Sequence, residues 1–153
     1  VSSKVCISPH LTNIPNIQKI AVGLAIFHDT GKYPDFLGHY GKFENNQRAM
    51  DSLISKMHIA LYRDDWTLKS WKNRNGYNRT SDNFIIYVKH FFADDYYQIL
   101  DIVSPEAHKR INSILSSLIE KAEQFHSLRD SDLHQLETFS NNHCIAKEIK
   151  LTP

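Results

Sequence analysis

Two apolar runs joined by a short acidic turn constrain this chain more than any other feature. Residues 83–90 hold Phe84, Ile85, Ile86, Tyr87 and Val88 in succession, and runs rich in β-branched and aromatic side chains form strands. Residues 91–95, with Asp94 and Asp95, read as a turn, and residues 96–103 read as a second strand. The pair is therefore an antiparallel hairpin. Ser104, Pro105 and Glu106 follow, a combination suited to ending a strand and opening a helix. In a hairpin the start of the first strand lies beside the end of the second. Arg79 and Asp82 are thus expected next to His108 and Lys109, gathering cations and a proton-transfer group at one end of a sheet.

The flanking chain supplies helices and further strands. Residues 4–8 read as a short strand stopped by Pro9. Ile14, Ile17, Ile20, Ala21, Leu24, Ala25 and Phe27 recur at helical spacing, with Thr12 or Asn13 as the cap and Gly31 as the stop. Residues 33–38 read as an ordered loop, and residues 40–50 carry no clear period. Met57, Ile59 and Leu61 alternate with Lys56, His58 and Ala60, the pattern of a half-buried strand with His58 turned toward solvent or a groove. A connector over 63–76 precedes the hairpin. The helix opened at Pro105 has an apolar stripe of Ile111, Ile114, Leu115, Leu118, Ile119, Ala122 and Phe125.

The expected fold is α+β: a small antiparallel sheet with N-terminal and C-terminal helices packed on it, one sheet face being covered. With 153 residues, 41% of them apolar, residues 1–128 make one domain. Residues 129–153 are expected to form a polar extension, partly helical or mobile. A net charge of +1 excludes a global basic field, so any anion site is a local patch. Cys6 and Cys144 are too far apart in sequence for a metal motif and make no disulfide framework. No apolar run approaches a membrane span and no leader-like stretch precedes the first strand, so a cytoplasmic protein without membrane partners is expected.

Arg79, His108 and Lys109, with His58 on a neighbouring strand, are the candidate catalytic set. Metal-free RNA cleavage needs a base for the 2′-hydroxyl, positive charge for the phosphorane, and an acid for the departing 5′-oxygen. Imidazole suits either proton role and the arginine fork suits phosphate oxygens. Backbone N–H groups at the helix start add anion affinity. The plain alternative pairs Arg79 with Asp82 on the surface and leaves His108 solvating a helix end. Lys69, Trp71, Lys72 and Arg74 in the connector, with Arg110 in the helix, are the candidate RNA-binding residues: cations hold phosphates and tryptophans stack bases. The plain alternative there buries a Trp in the core. His28-Asp29 matches the His-Asp pair of metal-dependent phosphohydrolases, but without the further ligands that chemistry needs it reads as a helix end. Asp64-Asp65 and Asp94-Asp95 read as turn residues. No cofactor or metal is expected.

Four short motifs, in order, resemble the YafO family of bacterial type II toxins. They are Pro34-Asp35-x-x-Gly38, His58-Ile59-Ala60-Leu61, Arg79-Thr80-Ser81-Asp82, and Pro105-Glu106-Ala107-His108-Lys109. The similarity runs from about residue 17 to 128. The resemblance implies a RelE-like α+β fold and a ribosome-dependent mRNA endonuclease (an mRNA interferase), with a cognate antitoxin, the ribosome and mRNA as partners. Toxins on this scaffold also include non-catalytic inhibitors of the ribosome or gyrase. The connector over 63–76 is longer than the family's, and residues after 128 have no counterpart in it.

Overall fold

The computed structural model describes residues 2–151; Val1 and the last two residues of the C-terminal extension lie outside them. Five strands form one sheet: β1 (Lys4–Ile7), β2 (Leu37–Lys42), β3 (Ile54–Ile59), β4 (Phe84–Lys89) and β5 (Tyr96–Val103). Their spatial order is β1-β5-β4-β3-β2, and β4 and β5 form the expected hairpin. The sheet is mixed rather than purely antiparallel, because β1 pairs with β5 in parallel, Lys4 opposite Tyr96. Residues 8–95, which separate the two paired strands, give the connection ample length for this arrangement.

Helices cover both faces of the sheet, not one. On one side Phe84, Ile86 and Val88 pack with Leu100, Val103 and the apolar stripe of α3 (Ala107–His126). On the other, Ile85 and Tyr87 pack with Met57, Ile59, Ile99 and α1 (Ile17–Thr30). The unbroken apolar run of β4 is the cause, since a strand buried on both faces has no polar side to alternate with. His58 and Ala60, expected on an open face, are buried for the same reason.

Two helix starts differ from the sequence expectation. α1 begins at Ile17 rather than near Thr12, after a 3-10 turn (Pro9–Leu11) and a left-handed Asn16 at φ +63°. Pro15 disfavours helical backbone at Ile14, and Asn tolerates the left-handed region. α3 begins at Ala107, behind Glu106 at φ +58°, and no side chain within it caps it. Its cap comes from far away in sequence: Asp82 O accepts the Ala107 N–H and Asp82 Oδ1 the His108 N–H, both at 2.9 Å. The helix stop at Gly31 is as expected, with φ +76° and its N–H on Phe27 O.

The unassigned stretch over 40–50 is the end of β2 and a short α2 (Gln47–Asp51), capped by Asn46 through the Ala49 N–H. After α3, α4 (Asp130–His134) buries Leu133. Phe139 then makes an antiparallel bridge to Val5, N–H to O at 2.8 and 2.9 Å, so it occupies the otherwise open edge of β1.

Gly23 in α1 is fixed by packing. A Cβ there would lie 2.4 Å from Cζ of the fully buried Phe36 ring. Gly23→Ala is expected to lower stability by about 1–3 kcal/mol through overpacking, against the usual helical benefit of alanine. Urea denaturation of the two proteins measures it.

Candidate functional site

The site is built on the loop before β2 and the loop before β4, which one side chain ties together. Arg79 Nη1 donates to the carbonyls of Pro34, Asp35 and Leu37 at 3.1–3.4 Å, Nε to Asn73 O at 3.0 Å, and Nη2 to Arg74 O at 3.5 Å. Burial pulls its pKa down, and the negative charge of Asp35 opposes that. The backbone takes part as well: Arg79 O accepts the His39 N–H at 2.8 Å. A Cβ at Gly38 would sit 2.5 Å from that carbonyl oxygen, so only glycine permits the approach. The Pro34-Asp35-x-x-Gly38 motif is thus the receptor for Arg79.

The same junction carries a β-bulge. Leu37 pairs with Ile59 and Tyr40 with Met57, so Gly38 and His39 on β2 face the single residue His58 on β3. Leu37 and Tyr40 both belong to the α1 face, which three-residue spacing in a regular strand forbids. The bulge absorbs the extra residue and brings His39 onto the opposite face, beside His58. Their ring centres are 5.8 Å apart, and His58 lies a further 5.6 Å from His108. Three imidazoles therefore stand in a row.

Each ring has a different environment. His58 is 5% exposed, packs edge-on to Phe84 at 4.8 Å, and places Nδ1 against the Ser81 backbone, 2.8 Å from O and 2.9 Å from N. Burial drives its pKa down to about 4, so it is neutral. His108 is the exposed ring. Its Nδ1 lies 2.7 Å from Asp82 Oδ1, the same oxygen that caps α3. The His108 backbone N–H and ring together hold the Asp82 carboxyl below its ordinary value. His39 is half-exposed, with Nδ1 2.8 Å from Tyr77 O and its ring 4.4 Å from that of Tyr77. Sequence reading missed His39; Gly38 before it was the only sign of a bulge.

The structure brings His58, Asp82 and His108 together as expected, with exposed Lys109 beside them on α3. Lys56 Nζ lies 5.2 Å from the Phe84 ring centre, and Phe84 also packs against His58 and His108, so a second ammonium borders the row. Arg79 contributes its backbone there, while its guanidinium is directed at carbonyls. The N–H groups at the start of α3 are not open to an anion either: Ala107 and His108 donate to Asp82, and Lys109 and Arg110 to Glu106 O.

The connector forms three 3-10 turns (Arg63–Thr67, Lys69–Lys72 and Gly76–Asn78). Lys69, Lys72 and Arg74 are exposed along it. Trp71 is not: it is 7% exposed, and its Nε1–H donates to Asp35 O at 2.9 Å. The expected base-stacking role is therefore withdrawn, because the ring is already part of the core beneath Gly38. Arg110 folds back onto the Ser104 and Pro105 carbonyls at 2.7 and 3.0 Å.

The remaining motifs have structural partners. His28 Nε2 lies 2.7 Å from the Tyr87 hydroxyl, and burial pushes its pKa down to about 4. Asp29 accepts from the backbone and hydroxyl of Ser3 and from Asn141. Asp65 Oδ2 accepts from the Leu61 and Tyr62 N–H groups and from Asn83 Nδ2. Asp95 pairs with Lys4 at 2.7 Å.

A family model described as toxin YafO, type II toxin–antitoxin system, matches residues 25–127, a span that holds the whole histidine row, Asp82, Arg79 and Lys109. Comparison with curated proteins and with solved structures finds no match. The chain belongs to the YafO toxin family, whose type II character implies a cognate antitoxin as partner.

His28 and His58 make acid sensitivity predictable. Both are neutral in the fold down to about pH 4, whereas unfolded histidine takes up its proton near pH 6.5. Their contribution is full above pH 6.5 and is lost as pH falls toward 4. Stability from urea denaturation across that window should fall as pH falls, with protons taken up on unfolding by His28 and His58 and, in the same direction, by half-buried His126. A midpoint that is flat there would contradict the burial of both rings.

Proposed function

We propose that this YafO-family toxin is a ribosome-dependent endoribonuclease that cuts mRNA through its own 2′-hydroxyl, with His108 as the general base. The observation that carries this reading is the His108–Asp82 pair. The carboxylate accepts the Nδ1–H, which fixes the tautomer and leaves Nε2 outward with its lone pair available. It also stabilises the imidazolium formed when that nitrogen takes a proton. Exposed Lys109, next to His108 on α3, and Lys56, whose Nζ lies over the Phe84 ring that His108 also packs on, supply charge for the phosphorane oxygens.

His58 and Arg79 act as positioning residues in this scheme. His58 is a neutral spacer against which His108 rests, and Arg79 holds the loops that frame the row. Lys69, Lys72 and Arg74 meet the RNA backbone along the connector. The near-neutral chain relies on the ribosome, in the cytoplasm, to present the message.

Ribosomes programmed with a defined mRNA test the reading. His108→Ala should slow cleavage about 100- to 10,000-fold. Asp82→Asn keeps an oxygen to cap α3 but removes the charge, and should cause a smaller loss with the fold intact by circular dichroism. Unchanged cleavage by both variants removes the assignment. Arrest of translation with intact message supports a non-catalytic inhibitor on the same scaffold instead.

A further inference from the structure

We propose that His39 is the general acid of the same reaction, protonating the 5′-oxygen that leaves. This assignment rests on the ribonuclease reading above and extends it to a residue outside the four motifs. Four observations converge on His39. The bulge opposite His58 turns its ring onto the face that holds His108. Its Nδ1–H donates to Tyr77 O, a bond that survives whether or not Nε2 is protonated, so the ring is oriented in both states. The next residue on its side of β2, Gly41, adds no side chain of its own: a Cβ there would lie 3.8 Å from His39 Nε2 and 3.6 Å from Lys56 Cε, so the Lys56 stem passes beside the ring. Finally, the entry into β2 just before His39 is held by the Arg79 fork, and the His39 N–H by the Arg79 carbonyl, so its position is built rather than incidental.

His108 Nδ1 faces a carboxylate oxygen and His39 Nδ1 a backbone carbonyl, so each ring keeps Nε2 for the substrate. His58 between them is uncharged and adds no repulsion to an imidazolium at either end. In the reaction the 2′-oxygen forms a bond to phosphorus as His108 Nε2 takes its proton. The bond from phosphorus to the 5′-oxygen breaks as His39 Nε2 gives that oxygen a proton. The products are a 2′,3′-cyclic phosphate and a 5′-hydroxyl, with one proton moved from the message to His108 and one from His39 to the message.

A leaving group that needs no acid separates this role from a structural one. Ribosomes are programmed with mRNA carrying either the ordinary 5′-oxygen or a bridging 5′-sulfur at the cleavage position. His39→Ala should cleave the ordinary message about 100-fold or more slowly than the native toxin, and the 5′-thio message at close to the native rate. His108→Ala should be slow on both. Equal slowing of His39→Ala on the two messages, or native cleavage of both, overturns the acid assignment while leaving the ribonuclease reading in place. Absence of cleavage of the ordinary message by the native toxin overturns both.

Discussion

A planar fork with five N–H donors and no acceptor can close a loop from inside, and Arg79 does so with five backbone carbonyls drawn from residues 34, 35, 37, 73 and 74. Those carbonyls belong to two separate stretches of chain, 34–37 and 73–74, which the fork joins. Lysine could not replace the fork, since three donors on one nitrogen cannot reach two separate loops. The consequences spread outward. The Arg79 carbonyl fixes His39, Gly38 must stay bare to let it approach, and Trp71 packs beneath Gly38 with its indole N–H on Asp35 O. One cation thereby sets the path of β2 into the sheet, and with it the bulge that aims His39.

Asp82 plays the matching part at the other side of the site. Its carbonyl and one carboxylate oxygen take the Ala107 and His108 N–H groups, and the same oxygen holds the His108 ring. The start of α3 and the orientation of the imidazole are therefore one interaction. This juxtaposition was legible in the sequence, because hairpin geometry alone brings the start of β4 to the end of β5. The use of Arg79 was not legible. A guanidinium meets a carbonyl and a phosphate with the same donors, so residue type cannot say which it will find. His39 was hidden for another reason: a bulge at Gly38 and His39 breaks the period-two pattern that makes strands readable, and β2 ends at Lys42, too short to show one beyond it.

The covering of both sheet faces was in view but under-read. Phe84 to Val88 contains no polar position, which already excludes a solvent face for the central strand. With Met57, Ile59 and Leu61 as the single buried set, His58 is turned toward solvent or a groove. In the fold it lies under Phe84 and His108, and this burial is what keeps it neutral. Four of the five strands, the body of α3 and the Gly31 stop followed from local chemistry, while β2 did not; helix starts did not either, because both depend on residues distant in sequence or on the chain around Pro15.

A chain with net charge +1 is poorly equipped to hold RNA by itself. Affinity from neutralised phosphates grows with the number of contacts, and each contact adds to the salt dependence. The exposed cations near the site are few: Lys109 and Arg110 on α3, the latter turned onto carbonyls, and Lys69, Lys72 and Arg74 along the connector. Trp71 is buried, which removes one of the connector's two aromatic surfaces for unpaired bases. For the proposed reaction, so thin an electrostatic footprint suits a substrate that is already held and extended by something else. On the proposed reading that is the ribosome, and weak binding to free RNA then becomes a means of selectivity: the message is met where it is being translated, and other cellular RNA is passed over.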